Sequence, residues 1–264
     1  SMELEPEYAS LIVPNMVIIR NFIEIFQAEA LWIPGVSLLD GIAYDYAEKN
    51  KYLKSVHNFE NDILVASRNI AKRYSSGKNH IAGTTDVALD IFDSTRKIHG
   101  MGKRERLLLQ IAVLLHDCGK YCSAKEQLKL CEKYKITLTD LEHSMPALIH
   151  AKLGAYLAEN EYGIKDREVL DAITYHTTGR PEMTMLEKIL YIADYIEPMR
   201  YKASRLPEIR KLAFEDLDEC MYEILKDTLE YLEEDSADDI EPTSKEAYIY
   251  YKELHNKRNN VSDN

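Results

Sequence analysis

A histidine and an aspartate stand side by side at the end of an apolar run, in the segment Leu114-Leu115-His116-Asp117-Cys118-Gly119-Lys120. Adjacent His and Asp side chains can offer a metal ion a nitrogen and an oxygen ligand from one short segment. Such a pair alone is more often a surface pair at a helix end than a metal site. It gains weight because further potential ligands lie before and after it, namely His80, His150, His176 and Asp194.

The candidate ligands are separated by distances that suit one step along a helical hairpin. The intervals from His80 through His116, His150 and His176 to Asp194 are 36, 34, 26 and 18 residues. We therefore predict that these groups lie on different helices and face one cavity. Four imidazoles and two carboxylates suit one or two divalent first-row metals, with iron, manganese and zinc all compatible.

Each candidate also has an ordinary structural interpretation. A single histidine among apolar neighbours is more often a hydrogen-bonded core residue than a ligand, and Asp194 could be a helix-end carboxylate before Pro198. Spacing alone leaves both interpretations open, although a carboxylate that enters an apolar helix is costly without a cation or a donor. Four histidines at helix ends or in polar context are assigned no ligand role: His57, His99, His143 and His255.

Composition limits the classes of function. The chain has 264 residues, 45% of them hydrophobic and 30% charged, and its net charge is -12. This charge argues against broad binding to nucleic acid, but not against a small anionic substrate in a locally positive pocket. The sequence contains no apolar run long enough to span a bilayer, and its four cysteines form no C-x-x-C pair. We expect a cytoplasmic protein with no membrane partner.

Helical periodicity dominates the chain, in which glycine and proline are scarce at 10 and 8 residues. Before residue 57, helices are predicted over 14–29 and 37–49, with a short strand and turn at 31–35 between them. Ser123 with Glu126 and Thr184 with Glu187 match the capping-box pattern, and Asp166 is a predicted helix cap. From about 57 the pattern predicts an all-α bundle with helices over 58–74, 80–98, 103–117, 123–134, 146–160, 167–176, 184–196, 207–233 and 242–255.

The order of the candidate ligands resembles that of the HD superfamily of metal-dependent phosphohydrolases: His80, then His116-Asp117, then a distal Asp194. From about 123 to 255 the resemblance narrows to the YqeK family of symmetrical diadenosine-tetraphosphate hydrolases. Three blocks carry it: LIHAKLGAY at 148–156, AITYHTTGRP at 172–181 and LEKILYIADYIEP at 186–198. Shorter matches at 208–213 and 216–218 extend the resemblance.

The first 120 residues resemble a different family. The segment WIPGVSLLDG at 32–41 is similar to the end of the actin-like domain of Ppx/GppA phosphatases, and 89–93 and 99–106 to the HD-like domain that follows it. The chain thus resembles a Ppx/GppA segment, about 8–120, joined near His116-Asp117 to a YqeK segment. His80 has the spacing of the first YqeK ligand but lies in the Ppx/GppA-like part, so a misplaced helix there would deprive one metal of a ligand.

The helical periodicity and these resemblances together predict a mainly α fold in three parts. A small N-terminal α/β remnant of the Ppx/GppA type covers 1–56. An HD-type helical bundle with phosphohydrolase chemistry covers 57–256. A disordered tail covers 257–264.

The resemblance implies hydrolysis of diadenosine tetraphosphate to two ADP. It also implies two divalent ions, with iron favoured and manganese or zinc as alternatives, which would polarise a phosphoryl oxygen and activate water. Asp117 would bridge the ions, and the full ligand set would be His80, His116, Asp117, His150, His176 and Asp194.

Basic and hydroxyl side chains near these ligands are candidates for substrate contacts. Lys120, one helical turn from His116, is the expected phosphate contact or leaving-group acid. Arg180 and Arg200 can make forked contacts to phosphates, and Thr177 with its neighbour Thr178 can add hydroxyl contacts. For the lysine and both arginines, a solvated surface position is an equally good interpretation.

Two alternatives use the same scaffold. One is another HD activity, such as a guanosine-polyphosphate or simple nucleotide phosphohydrolase with the same metal ligands. The other is a non-catalytic nucleotide-binding or dimerisation module of a Ppx/GppA-type protein, against which the complete ligand set argues. A small nucleotide is the expected partner, and a homodimer stays open.

Overall fold

The computed structural model describes residues 6–31, 35–53, 59–74, 78–145, 147–201, 205–236 and 240–262. Within these ranges all regular structure is helical, which confirms the predicted mainly α fold. The chain divides into two compact units, 1–57 and 58–264. Among the described helices, none combines the length and the apolar character needed to cross a bilayer.

The described part of the first unit consists of helices α1 (Pro6–Phe26) and α2 (Leu38–Lys49). Helix α1 begins before the predicted start and contains Pro14 in its interior. Helix α2 begins where predicted, because the Ser37 hydroxyl accepts the Asp40 amide at 3.2 Å and the Asp40 carboxylate accepts the Ser37 amide at 2.7 Å. A short strand and turn were predicted at 31–35. Leu31 and Gly35 belong to no strand, and 32–34 lie outside the described residues.

The second unit is a bundle of helices, with a short 3-10 turn over Cys118–Tyr121. Its described helices are α3 (Phe59–Tyr74), α4 (Lys78–Ser94), α5 (Arg96–His99), α6 (Lys103–Leu115), α7 (Ala124–Tyr134), α8 (Asp140–Ser144), α9 (Ile149–Asn160), α10 (Arg167–Tyr175), α11 (Met185–Ile196), α12 (Leu206–Leu212), α13 (Leu217–Ser236) and α14 (Pro242–Ser262). The bundle predicted from about 57 onward is therefore present.

Local hydrogen bonds explain where three of these helices begin. Thr184 Oγ1 accepts the Glu187 amide at 3.3 Å, and the Glu187 carboxylate accepts the Thr184 amide at 2.7 Å, so α11 starts with a complete capping box. The Glu126 carboxylate accepts the Ser123 amide at 2.9 Å before α7. The Asp166 side chain caps α10. These contacts confirm the caps predicted from the sequence.

Two predictions for the C-terminal region were wrong. The helix predicted over 207–233 is broken, because Asp216 Oδ1 accepts the amides of Asp218 at 3.0 Å and Glu219 at 3.1 Å and so starts α13 separately from α12. Residues 257–262, predicted as disordered, continue α14. There Arg258 forms ion pairs with Asp216 at 2.7 Å and Asp218 at 2.6 Å. Residues 263–264 lie outside the described part of the chain.

The core of the second unit lies where α6, α9, α10 and α11 pack together. Large apolar side chains from all four helices are fully buried there: Leu109, Leu115, Ile149, Leu153, Ile173, Ile189 and Leu190. Removing each such side chain from water stabilises the fold by about 1.5–3 kcal/mol. The core therefore fixes the four helices whose ends carry most of the predicted ligands.

We expect Ile189→Ala to lower the free energy of unfolding by about 2–5 kcal/mol, because the truncation leaves a cavity in a fully buried part of α11. Chemical denaturation followed by circular dichroism measures this change. Ile249→Ala in α14 is the control, since its side chain is 56% exposed and should cost less than about 1 kcal/mol. Equal losses in the two variants would contradict this assignment of the core.

Candidate metal centre

The six predicted ligands converge on one point in the second unit, and all come from the ends of helices. His80 lies in the first turn of α4, and His150 in the first turn of α9. His116 and Asp117 directly follow α6, His176 directly follows α10, and Asp194 lies in the last turn of α11. Five separate segments thus contribute to one cluster.

Asp117 lies at the middle of this cluster. One of its carboxylate oxygens, Oδ1, lies 3.4 Å from His150 Nε2, 3.5 Å from His116 Nε2 and 3.6 Å from His176 Nε2. The other, Oδ2, lies 3.8 Å from His80 Nε2. A single carboxylate is therefore within reach of all four imidazoles.

Asp194 provides a second carboxylate on one side of the cluster. Its Oδ1 lies 3.1 Å from His80 Nε2 and 3.7 Å from His116 Nε2. The ligand atoms of these three residues lie within 4.8 Å of one another, as do those of His116, Asp117 and His176. His116 belongs to both groups, so the two potential metal sites adjoin.

Three of the imidazoles are oriented by the same backbone contact. Nδ1 of His116, His150 and His176 lies 2.7 Å from the carbonyl oxygen three residues earlier in the chain. A carbonyl oxygen only accepts, so each Nδ1 carries the hydrogen and donates it. In the neutral ring, Nε2 then presents a lone pair toward the cluster.

These lone pairs fit a bound cation. His150 Nε2 and His176 Nε2 are only 3.1 Å apart, although the backbone contacts make both of them acceptors. Two acceptors at this distance repel each other, whereas a divalent metal binds imidazole nitrogen and carboxylate oxygen together at about 2.0–2.2 Å. The set of four imidazoles and two carboxylates is thus suited to a divalent metal.

Burial sets the protonation states that such binding requires. Desolvation lowers the pKa of His116 and lowers that of His150 to about 4. His80 is less buried, and its hydrogen bond with Asp194 raises its pKa. Burial alone would raise the pKa of both aspartates, but charge and hydrogen-bond interactions with the surrounding histidines outweigh it and hold both pKa values well below the usual range. Ionised carboxylates beside neutral buried imidazoles are the forms that bind metal.

Sequence reasoning missed Glu197, which lies beside the cluster. Its side chain is buried, with Oε1 3.6 Å from His80 Nδ1 and Oε2 accepting the Met199 amide at 2.7 Å. Helix-face spacing gives no signal for it, because α11 ends at Ile196 and Glu197 lies in the turn that follows.

Lys120 lies at the edge of the cluster. The 3-10 turn after Asp117 places its Nζ 2.8 Å and 2.9 Å from the two carboxylate oxygens of Asp117, with 41% of the side chain exposed. Arg200 lies just beyond α11 and places its guanidinium 5.3 Å from the centre of the Tyr195 ring. Lys120 is accessible beside the ligands and Arg200 is partly exposed, and the roles of both in binding substrate stay predictions.

Arg180 has a partner within the protein. Its Nε lies 2.6 Å and its Nη2 3.0 Å from the two carboxylate oxygens of the fully buried Glu187. This two-point contact occupies one of the two forked edges of the guanidinium. Thr178 donates its hydroxyl to the Gly179 carbonyl at 3.0 Å, and Thr177 directly follows His176. The predicted substrate contacts of Arg180 and Thr177 stay predictions.

The histidines assigned no ligand role are placed elsewhere where they are described. His99 donates from Nε2 to the Phe92 carbonyl of α4 and accepts the Met101 amide at Nδ1, and His255 pairs with Glu219 at 2.7 Å. His143 lies in α8. His57 falls outside the described residues.

We expect a bound divalent metal to stabilise the protein, because the ligand cluster exists only in the folded state. Metal at 100 times its dissociation constant would contribute about 2.7 kcal/mol. Thermal unfolding before and after chelator treatment, and again after adding Mn²⁺ or Zn²⁺, measures the effect. His150→Ala should reduce the metal-dependent rise in Tm, whereas His143→Ala, on an exposed face of α8, should keep it. The same rise in both variants would argue against the cluster as the binding site.

The comparisons with known proteins agree with this arrangement. The family model described as HD domain matches residues 78–199. A symmetrical bis(5'-nucleosyl)-tetraphosphatase of Bacillus subtilis (strain 168) is 43% identical over 123 residues, which cover 47% of this chain and 65% of that protein. Proteins with the same name from Halalkalibacterium halodurans and Staphylococcus aureus are each 34% identical, over 58% and 66% of this chain and 77% and 85% of the relatives.

A solved structure supports the same assignment. It is from Clostridium acetobutylicum and is described as a predicted HD superfamily hydrolase involved in NAD metabolism. Its sequence is 31% identical to this one, and the TM-score is 0.63. The match covers 72% of this chain and 96% of that chain. The HD match begins at 78 and so includes part of the Ppx/GppA-like segment, whose resemblance to Ppx/GppA proteins stays a prediction. The chain belongs to the HD superfamily and, within it, to the YqeK-type family of symmetrical bis(5'-nucleosyl)-tetraphosphatases.

Proposed function

We propose that this chain hydrolyses diadenosine tetraphosphate to two ADP. The observation that carries the proposal is the convergence of four imidazoles and two carboxylates in a chain whose relatives are named for this class of reaction. The chain spans 65% of the length of the Bacillus subtilis relative, and more of the other two. The inferred reaction is attack of water at the central phosphoanhydride of the dinucleotide.

Two divalent ions are the cofactor that this proposal requires, with iron favoured and manganese or zinc as alternatives. Ligands on both sides of Asp117, His80 with Asp194 and His150 with His176, support two ions rather than one, and His116 can offer its Nε2 to one of them. His150 would complete the group of Asp117 and His176, since its Nε2 lies 3.4 Å from Asp117 Oδ1. When bound, such ions polarise a phosphoryl oxygen and make water nucleophilic near neutral pH.

The protein itself must bind a strongly anionic substrate, although its net charge is -12. Lys120 and Arg200 are the cations best placed to do so. Within the described residues, no carboxylate lies within ion-pair distance of Arg200, whereas Arg180 is held by Glu187. Because phosphoryl transfer is catalysed mainly by positioning and charge stabilisation, Lys120 beside the ligand cluster and the partly exposed Arg200 that follows α11 would suit the reaction.

Product analysis tests the proposal directly. The metal-loaded protein is incubated with diadenosine tetraphosphate and the products are separated by anion-exchange chromatography. ADP as the only product supports a central cut, whereas AMP with ATP would contradict it. Turnover of guanosine polyphosphates in preference to the dinucleotide would favour the other HD activity, and nucleotide binding without turnover would favour the non-catalytic module. The homodimer and the cytoplasmic location stay predictions.

We expect Asp117→Asn to reduce turnover below detection while the fold persists, because the substitution removes the charge at the middle of the ligand cluster. Turnover assays, metal analysis and circular dichroism together measure this. Asp90→Asn, at an exposed position in α4, is the matched control and should keep wild-type turnover. Wild-type turnover in Asp117→Asn would contradict the role given to this carboxylate.

We expect the two arginines to differ when each is replaced by alanine. Arg200→Ala should raise KM for the dinucleotide more than it lowers kcat, because a phosphate contact is lost. Arg180→Ala should instead lower the free energy of unfolding by at least about 1–3 kcal/mol, because the buried Glu187 carboxylate loses its partner. Steady-state kinetics and chemical denaturation separate these effects. A raised KM at full stability in Arg180→Ala would assign that arginine to the substrate.

A further inference from the structure

The guanidinium of Arg210 donates hydrogen bonds to three backbone carbonyls at and just after the end of α11. Arg210 of α12 donates from Nε to the Ile196 carbonyl at 3.1 Å and from Nη2 to the carbonyls of Glu197 at 3.2 Å and Arg200 at 3.1 Å. The last carbonyls of a helix have no partner within it and carry partial negative charge. A planar guanidinium with several fixed donors can satisfy them together, and an ammonium group cannot reproduce that geometry.

The turn that Arg210 holds, residues 196–200, contacts the helix that carries His80. A Cβ placed on Gly83 would lie 3.0 Å from Pro198 Cδ and 3.6 Å from Glu197 Oε2, so this turn packs closely against α4. Gly83 lies one helical turn after His80, and Glu197 Oε1 lies 3.6 Å from His80 Nδ1. This turn is therefore one of the contacts that hold the start of α4, and with it His80, against Asp194, in addition to the packing of α4 on α11 and α6.

The other side of the metal centre is held by different contacts. His150 and His176 are oriented by carbonyls of their own segments, at 2.7 Å each. Gly154 of α9 packs against the turn after Asp117, where a Cβ on Gly154 would lie 3.3 Å from the Gly119 nitrogen. None of these contacts involves Arg210.

We propose that Arg210 is a positioning residue for the side of the metal centre formed by His80 and Asp194. It contacts no ligand side chain and acts through the 196–200 turn. The proposal rests on the two-ion centre of the proposed function. Loss of Arg210 loosens the turn, so Glu197 and Pro198 hold the start of α4 near His80 less firmly, and the metal site on this side weakens while the His150–His176 side keeps its affinity.

Metal titration of the metal-free protein tests this without any measurement of activity. Isothermal titration calorimetry with Mn²⁺, together with elemental analysis after gel filtration, is carried out on the wild type, Arg210→Ala, Arg210→Lys and Lys211→Ala. In Arg210→Ala one binding step should weaken by about 10–100-fold, the usual effect of losing an outer contact of a metal site, while the other stays unchanged. Arg210→Lys should weaken the same step, because lysine cannot reproduce the three forked contacts.

Lys211→Ala is the matched control. Lys211 precedes Leu212 in the same helix, is highly exposed, and pairs with Glu215 of the adjoining turn at 3.6 Å. Replacing Lys211 with alanine removes a neighbouring positive charge and leaves the turn after α11 intact. The Lys211→Ala variant should therefore bind metal as the wild type does.

Two results would overturn the proposal. The first is wild-type affinity for both ions in Arg210→Ala. The second is equal weakening of both steps together with a lower Tm of the metal-free protein, which would mean a purely structural role. If Arg210→Ala does not fold, Arg210→Lys is judged by the same criteria. A wild type that binds two ions and does not cleave diadenosine tetraphosphate would refute the proposed function and leave the titration result for Arg210 standing.

Discussion

The rest of the metal centre depends on one constraint: several imidazole lone pairs are held close together around the Asp117 carboxylate. His150 and His176 are both made acceptors by their backbone contacts, yet their Nε2 atoms are 3.1 Å apart. Repulsion between them would spread the helix ends apart unless the core held those ends in place or a cation joined them. The buried side chains of α6, α9, α10 and α11 supply the first condition, and the chemistry of the ligands favours the second.

The use of helix ends explains how five segments can meet at one point. A residue at the C-terminus of a helix lies close to carbonyls that lack partners in the helix, and the imidazoles of His116 and His176 bond to such carbonyls at 2.7 Å. This contact fixes the ring and its tautomer without any additional side chain. His80 is more exposed than the other three imidazoles. Its ring is contacted by the Glu197 carboxylate, which lies in the turn after α11. The two sides of the centre thus differ in how firmly the protein itself orients the ligands.

The convergence of the candidate ligands was predictable from the sequence, and their supporting contacts were not. His80, His116-Asp117, His150, His176 and Asp194 carry chemistry in their residue types, and their helix-scale spacing predicted a common site. Caps such as Thr184 with Glu187 were also predictable, because both partners lie within four residues. The break before α13 was missed because apolar periodicity continues across it, while one side chain, Asp216, satisfies two amides there.

The same difference applies to the arginines. Arg180, Arg200 and Arg210 look alike in the sequence, and only the first two were considered, as phosphate contacts. In the fold, Arg180 pairs with a buried carboxylate, and Arg210 donates hydrogen bonds to three backbone carbonyls. The Arg200 guanidinium lies beside an aromatic ring. The partners of Arg180 and Arg210 lie 7 to 14 residues away in the chain, so local pattern carries no information about them. In a protein of net charge -12, the local field that attracts a tetraphosphate depends on which cations the fold leaves without a protein partner. By that criterion Arg200 is the stronger candidate for an anion contact, whereas Lys120 already pairs with Asp117 at 2.8 Å and would share its ammonium group with that carboxylate.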